Sequence, residues 1–389
     1  MSNQVYWHWP TFLMFICMGL VLTWAYNSEK QRSCATGREM RTFCLPYNAC
    51  YFLWLMIGTF RLVDDYHGGT DTPNYIDNFV NIFNPSYSDG IDLAFKLLNM
   101  AVRSITSDYH LFIFIVYSIM LYAYVKFTNS YSLRWTSSVP LFLISYLYFV
   151  GFSSMRSNLA FCYLLIALAY YVKKQYKPTI LFAICSCLTH VSLFMYAPVL
   201  IFCYMLRDLK VKRIHIALAF VASLSFGLIL QQTFISGAFA FLDNVGSGAY
   251  TAYAAKSLNQ SFSSFYVVSF PSIMIGVVLT ILLNDINKVI MKLPESQSRI
   301  VKTLLLICLY DVILVPITFS LGVYRGYMYL MVARILMWGI LIKIIGKKYR
   351  LPNLLVNVTF FSVFLIWIYT RFEAMHESSQ LMPYVFNFF

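Results

Sequence analysis

Charge is what this chain has least of. Only 12% of its 389 residues are Asp, Glu, Lys or Arg, roughly half the share of a soluble globular protein. With 60% hydrophobic and 18% aromatic residues and a mean hydropathy of +0.67, that scarcity excludes an ordinary soluble protein of two or three domains, which length alone would suggest. Acidic residues are the scarcer sign, 16 against 29 basic, for a net charge of +13. A nucleic-acid surface is excluded as well, because the Lys and Arg residues are not gathered on one soluble face. They fall in short clusters between apolar runs, as cytoplasmic loops do under the positive-inside rule. Metal-ligand spacing is missing among the nine Cys. Seven of them (Cys17, Cys50, Cys162, Cys185, Cys187, Cys203, Cys308) lie inside apolar runs, and Cys185 and Cys187 point to different helix faces. They read as packing cysteines. No Lys or Arg precedes the first apolar run, 10–26, whereas Lys30, Arg32, Arg38 and Arg41 follow it. That order predicts a retained first helix with its N-terminus outside, not a cleaved signal. There is no internal repeat, which disfavours several transporter designs.

What is present is a series of apolar runs long enough to cross a bilayer, which takes about 20 residues each. The hydropathy pattern predicts spans at 8–26, 45–62, 111–128, 138–152, 155–172, a long run 178–206, then 214–235, 265–283, 301–320, 326–345 and 352–370. Twenty-one of the 29 basic residues fall in six stretches, 27–44, 126–134, 173–177, 207–213, 284–302 and 343–350, which are assigned to the cytoplasm. The run 178–206 has basic clusters on both flanks. Two short helices that enter and return keep both clusters inside and put His190 at the outer tip; one long tilted helix is the alternative. With the hairpin, the chain is a single all-α transmembrane domain of 11–12 helices with both termini outside. Two outer loops are expected. The loop 63–110 is acidic and carries helical apolar spacing at Ile91, Phe95, Leu98 and Val102, as in a helix lying along the membrane surface. The loop 236–264 is rich in Gly, Ser, Ala and Tyr.

Charges within or beside apolar spans are costly and are functional candidates by default. Arg156 opens an apolar helix at its outer end, where a guanidinium opposes the helix dipole. A bound anion would relieve that conflict; snorkelling to headgroups is the alternative. Arg325 lies at an outer junction between spans, and its planar fork suits phosphate oxygens, or it anchors at the interface between tyrosines. Asp311 and Arg334 fall near the middles of consecutive spans, as a structural ion pair or as part of a polar cavity. His190, beside Thr189 and Ser192, is either a satisfied structural residue or a general base for a hydroxyl. Asp64 and Asp65, with His67 nearby, read as a solvated acidic turn in preference to a metal site.

The residues Arg61, then Gly69-Thr70-Asp71 and Tyr75, resemble the Arg…Gly-Thr-Asp-x-x-x-Tyr opening of EpsG-type proteins. The segment Met155-Arg156-Ser157-Asn158-Leu159-Ala160, followed by Lys173-Lys174 and Thr189-His190-Val191-Ser192, is similar to that family's Arg-x-x-Leu-Ala … His-x-Ser core. Tyr324-Arg325 with Tyr329 resembles its late Arg-x-x-x-Tyr, and Pro383-Tyr384 its ending. Ser157 stands where the family often has Gln. The resemblance runs from about residue 55 to the end and implies a Wzy-like polymerase of bacterial O-antigen, capsule or exopolysaccharide, with a GT-C-like helical fold in the inner membrane. It implies transfer, at the periplasmic face, of a growing glycan from undecaprenyl diphosphate to a new lipid-linked repeat unit, and a chain-length regulator as partner. No cofactor, metal or nucleotide sugar is implied. On this reading Arg156, Arg325 and Arg61 hold the diphosphate, His190 and Asp71 handle the acceptor hydroxyl, and Tyr75, Tyr329, Asp311 and Arg334 support them. A single-sugar transferase using a polyprenyl-monophosphate donor, with Asp64 and Asp65 as its acidic pair, is the nearest rival, and a flippase the next.

Overall fold

The computed structural model describes residues 9–64, 67–88, 90–233, 262–320 and 326–379 of the chain. The described residues form helices and no β-sheet. In chain order they are α1 (Trp9–Thr36), α2 (Leu45–Thr59), α3 (Thr72–Val80), α4 (Pro85–Ser88), α5 (Leu93–Arg103) and α6 (Tyr109–Ser130). A 3-10 turn (Val139–Leu143) leads into α7 (Ile144–Ser153), followed by α8 (Met155–Val172), α9 (Tyr176–Thr189), a second 3-10 turn (Val191–Phe194), α10 (Val199–Met205) and α11 (Arg213–Thr233). Then come α12 (Phe262–Lys292), α13 (Glu295–Ser320), α14 (Gly326–Tyr329), α15 (Met331–Lys348) and α16 (Asn353–Ser379). Five helices are long and apolar enough to cross a bilayer: Trp9–Thr36, Tyr109–Ser130, Met155–Val172, Ser272–Lys292 and Asn353–Thr370. The chain is an all-α, polytopic membrane protein.

Proline sets several helix starts. Pro46, Pro73 and Pro140 stand in the first turns of α2, α3 and the first 3-10 turn, where a missing N–H costs nothing. Asp108 caps α6 by accepting the His110 backbone N–H at 2.9 Å. That bond holds its carboxyl below the usual carboxylate range. All nine cysteines are free thiols.

Contacts divide the chain into two compact units. One comprises 1–190 with 338–389, and the other 191–337. At the heart of the first unit is α8. Its residues are buried on every side, including Leu159, Ala160, Leu164, Leu165, Ala167 and Leu168, as expected of a helix that is apolar all round. It packs against α6 on one side and α9 on another. α1, α2 and the first 3-10 turn surround this group, and α16 packs on that turn and on α7. The exposed Leu354, Leu355, Val358, Val363 and Ile366 of α16 suit lipid contact. At one end of this unit the basic stretches meet. Lys30 Nζ donates to Thr136 O (2.9 Å), Asn129 Nδ2 donates to Arg41 O (3.0 Å), and Lys173 pairs with Glu39 at 2.6 Å. In the second unit α13 packs against α10, α11, α12 and α14. There Asn287 Nδ2 donates to Val211 O (3.1 Å), joining the basic stretches 207–213 and 284–302.

The break expected in the run 178–206 is present: α9 ends at His190, whose backbone is extended (φ −157°, ψ 124°), and a 3-10 turn follows before α10. Two expectations are corrected. The span expected at 326–345 is split into the single turn α14 and the longer α15. The helix expected along the membrane surface exists as α5, but its Phe95, Asn99 and Val102 are buried and it packs on α3, α6 and α9. Of the second outer loop, 236–264, only the last residues are described, as the start of α12.

Candidate functional site in the first unit

The loop after α2 is built around Arg61. Its side chain is 1% exposed, and its guanidinium donates to Gly68 O (3.0 Å, from Nε), to Thr72 Oγ1 (3.3 Å) and to Gly58 O. The rings of Phe152 and Tyr117 flank it at 4.5 and 5.1 Å. Every nitrogen of that fork is engaged by the protein, so Arg61 staples the loop and is not presented to a phosphate. This corrects its place among the diphosphate-binding residues. Asp64 is also used locally, accepting the His67 backbone N–H at 2.7 Å and lying 2.9 Å from His67 Nδ1. Asp65 lies outside the described residues.

The next step of the loop is set by Gly69, which has φ +106° and lies flat on the α7–α8 junction. A Cβ there would stand 2.7 Å from Phe152 O. Thr72 completes the docking by donating its hydroxyl to Phe152 O. Gly69→Ala is therefore expected to lift the loop, costing about 1–3 kcal/mol in backbone strain. A lower melting temperature in detergent with faster proteolysis within 63–110 would show it, and wild-type values for both would refute it. Asp71 takes the N-cap position of α3, though its side chain makes no capping bond, and Tyr75 packs edge-on against Phe95 at 5.8 Å.

α8 starts just past this junction. Ser154 breaks the helix geometry (φ −138°, ψ 47°), which leaves Arg156 in the first turn of α8. Asn158 fixes that turn, accepting from Tyr124 OH (3.0 Å) and donating to Leu147 O (3.2 Å). Arg156 is 29% exposed, and its Nη1 lies 3.3 Å from Oδ2 of Asp92, which is 21% exposed. Asp92 is the N-cap residue of α5. Nothing in the sequence marks it as a partner of Arg156, because an Asp just before an apolar helix reads as an ordinary cap.

His190 reaches the same end through helix register. α8 and α9 are joined by a tight turn in which Lys174 adopts φ +60°, so they run antiparallel. The Ser186 hydroxyl donates to Ala160 O at 2.7 Å. One turn on from Ser186 is His190, and one turn back from Ala160 is Arg156, each about 6 Å along its helix. Both steps lead to the same end. α5 packs on α9 there, so one end of this unit holds Arg156, Asp92 and His190, with Gly69 to Thr72 docked on the junction that precedes α8. The basic stretches that carry Lys30, Arg41 and Lys173 lie at the other end of this unit, past α8's last residue, about 27 Å away by helix length.

The second unit holds the remaining candidates. Arg334 Nε lies 3.2 Å from Asp311 Oδ2, and Ser272 bridges them, donating to Asp311 Oδ2 and accepting from Arg334 Nη1, each at 2.9 Å. Both charged side chains are buried. Removing one partner of such a pair leaves an uncompensated charge, so Asp311→Leu or Arg334→Met alone is expected to cost about 3 kcal/mol. The double variant should recover much of that loss in a thermal-unfolding cycle, and additive losses would refute the pairing. Tyr329 OH lies 3.1 Å from Ser192 Oγ, and its ring stands edge-on to Tyr196 at 4.8 Å; Tyr196 OH is in turn 3.0 Å from Thr318 Oγ1. The late tyrosine thus meets the serine of the Thr189–Ser192 segment. Arg325 lies outside the described residues. Among the described residues no three Asp, Glu, His or Cys are grouped to hold a metal ion.

Compared with known proteins, residues 42–386 match the model of the EpsG family. No curated protein and no solved structure matches the chain.

Proposed function

The chain belongs to the EpsG family, and from that premise we propose that it is a polysaccharide polymerase acting on lipid-linked repeat units. In the proposed reaction a hydroxyl of the incoming unit attacks the anomeric carbon of the growing glycan. The bond from that carbon to the lipid diphosphate breaks, and the diphosphate leaves with the electron pair. Negative charge develops on the leaving oxygen, and a fixed guanidinium beside it lowers the barrier. That is the part of Arg156. His190 takes the proton of the attacking hydroxyl as general base, with Asp71 as a second group to orient that hydroxyl. Arg325 is a further guanidinium for the diphosphate, on the strength of the family motif.

One observation carries this reading: the Ser186–Ala160 bond sets a register that brings a cation and an imidazole to one end of the α8–α9 pair. Their location away from the basic stretches of the same unit supports an active end on the outer face of a bacterial inner membrane, since basic loops are retained in the cytoplasm. The lipid-linked donor then approaches from the bilayer, and a chain-length regulator is the expected protein partner. The test uses purified full-length protein in detergent, mixed with undecaprenyl-diphosphate-linked repeat units and no nucleotide sugar. A ladder of longer glycans on a gel is expected. An absence of elongation, or a need for a polyprenyl-monophosphate sugar, would overturn the assignment.

A further inference from the structure

We propose that Asp92 is a two-position latch for Arg156. In the resting protein its carboxylate holds the guanidinium; when a lipid diphosphate takes the guanidinium, the carboxylate turns back to cap α5. The identity of that anion rests on the polymerase reading, while the latch itself rests on the geometry. Asp92 stands at the N-cap of α5 with an extended backbone (φ −58°, ψ 140°), the conformation from which Asp side chains usually cap. Yet its side chain makes no capping bond, and its Oδ2 lies 3.3 Å from Arg156 Nη1. The cap has been given up for the ion pair.

Arg156 needs such an anion. A positive charge in the first turn of α8 opposes the helix dipole, and Asp92 offsets it when no substrate is present. The pair leaves the guanidinium unsaturated, for Arg156 Nε is buried with no hydrogen-bond partner among the described residues. A diphosphate brings more negative charge and more acceptor oxygens, and it can engage the fork bidentately. It therefore outcompetes a single carboxylate oxygen. Released, Asp92 is not stranded, because the backbone N–H groups of Ala94 and Phe95 are the ones an N-cap side chain reaches. α5 packs on α9, so the latch moves beside the helix that ends in His190. Asp92 is in this sense a positioning residue: it acts through Arg156.

The probe is undecaprenyl diphosphate, radiolabelled and bound to full-length protein in dodecylmaltoside. Asp92→Asn keeps the shape and a side chain able to cap α5 but removes the competing charge, so binding is expected to tighten about three- to fivefold, the scale of a partly exposed ion pair. Asp92→Glu keeps the charge and should stay within about twofold of wild type. In an Arg156→Gln background the Asp92→Asn gain should vanish. A merely structural Asp92 would give weaker binding in every variant. Unchanged or weaker binding by Asp92→Asn, tightening by Asp92→Glu as well, or tightening that persists without Arg156 would each overturn the latch. The probe carries no sugar and nothing turns over, so a failed latch is read separately from a failed elongation assay.

Discussion

Arg156→Ala is expected to slow elongation by about 10²–10³, the usual loss when one fixed donor to a developing anion is removed. The protein should remain folded. Its partly exposed side chain makes an ion pair with Asp92, and pairs of that exposure contribute about 1 kcal/mol or less. The turn that carries it is held by other residues, through the bonds of Asn158 to Tyr124 and Leu147. Arg156→Lys should recover only part of the rate, because an ammonium supplies the charge without the planar fork. The measurement is the initial rate of elongation of lipid-linked repeat units, with the melting temperature in detergent taken alongside. Wild-type elongation by Arg156→Ala would remove the diphosphate from this end of the protein.

How far the sequence foretold this arrangement depends on the distance over which each feature is encoded. Spans came through where an apolar run is uniform and its ends are polar: 155–172 is α8 and 111–128 lies within α6. Helix ends came through less well. α1 runs on to Thr36, through Glu29, Lys30 and Arg32, and α12 runs on to Lys292. Hydropathy reports where a bilayer ends, whereas these charged residues are good helix formers and continue the helix beyond it. The break at His190 was legible because basic clusters on both flanks of one apolar run conflict with a single crossing. Arg156 was legible for a similar reason, a charge at the edge of a span. The role of Arg61 was not. An Arg at the end of an apolar helix looks the same in sequence whether it faces an anion or is buried under a loop, and here the carbonyls of Gly58 and Gly68 decide. Asp92 was hidden for the same reason, since its partner lies on another helix far along the chain.

His190→Ala is expected to lower the elongation rate by about 10²–10⁴, the range for loss of a positioned general base. The backbone reasons for the break survive the substitution. The His190 N–H donates to Ser186 O (3.3 Å), and the extended conformation is one that Ala also adopts. Binding of the lipid diphosphate should change little, because Arg156 and Asp92 remain in place. That separates the two variants: Arg156→Ala loses affinity for undecaprenyl diphosphate, while His190→Ala loses rate. His190→Gln should be as slow as Ala, since an amide keeps a hydrogen bond but cannot accept the proton. Added imidazole should restore part of the His190→Ala rate, a response that a purely structural histidine would not give. Full activity in His190→Ala would leave the hydroxyl to Asp71, whose loop is docked at the same end by Gly69 and Thr72.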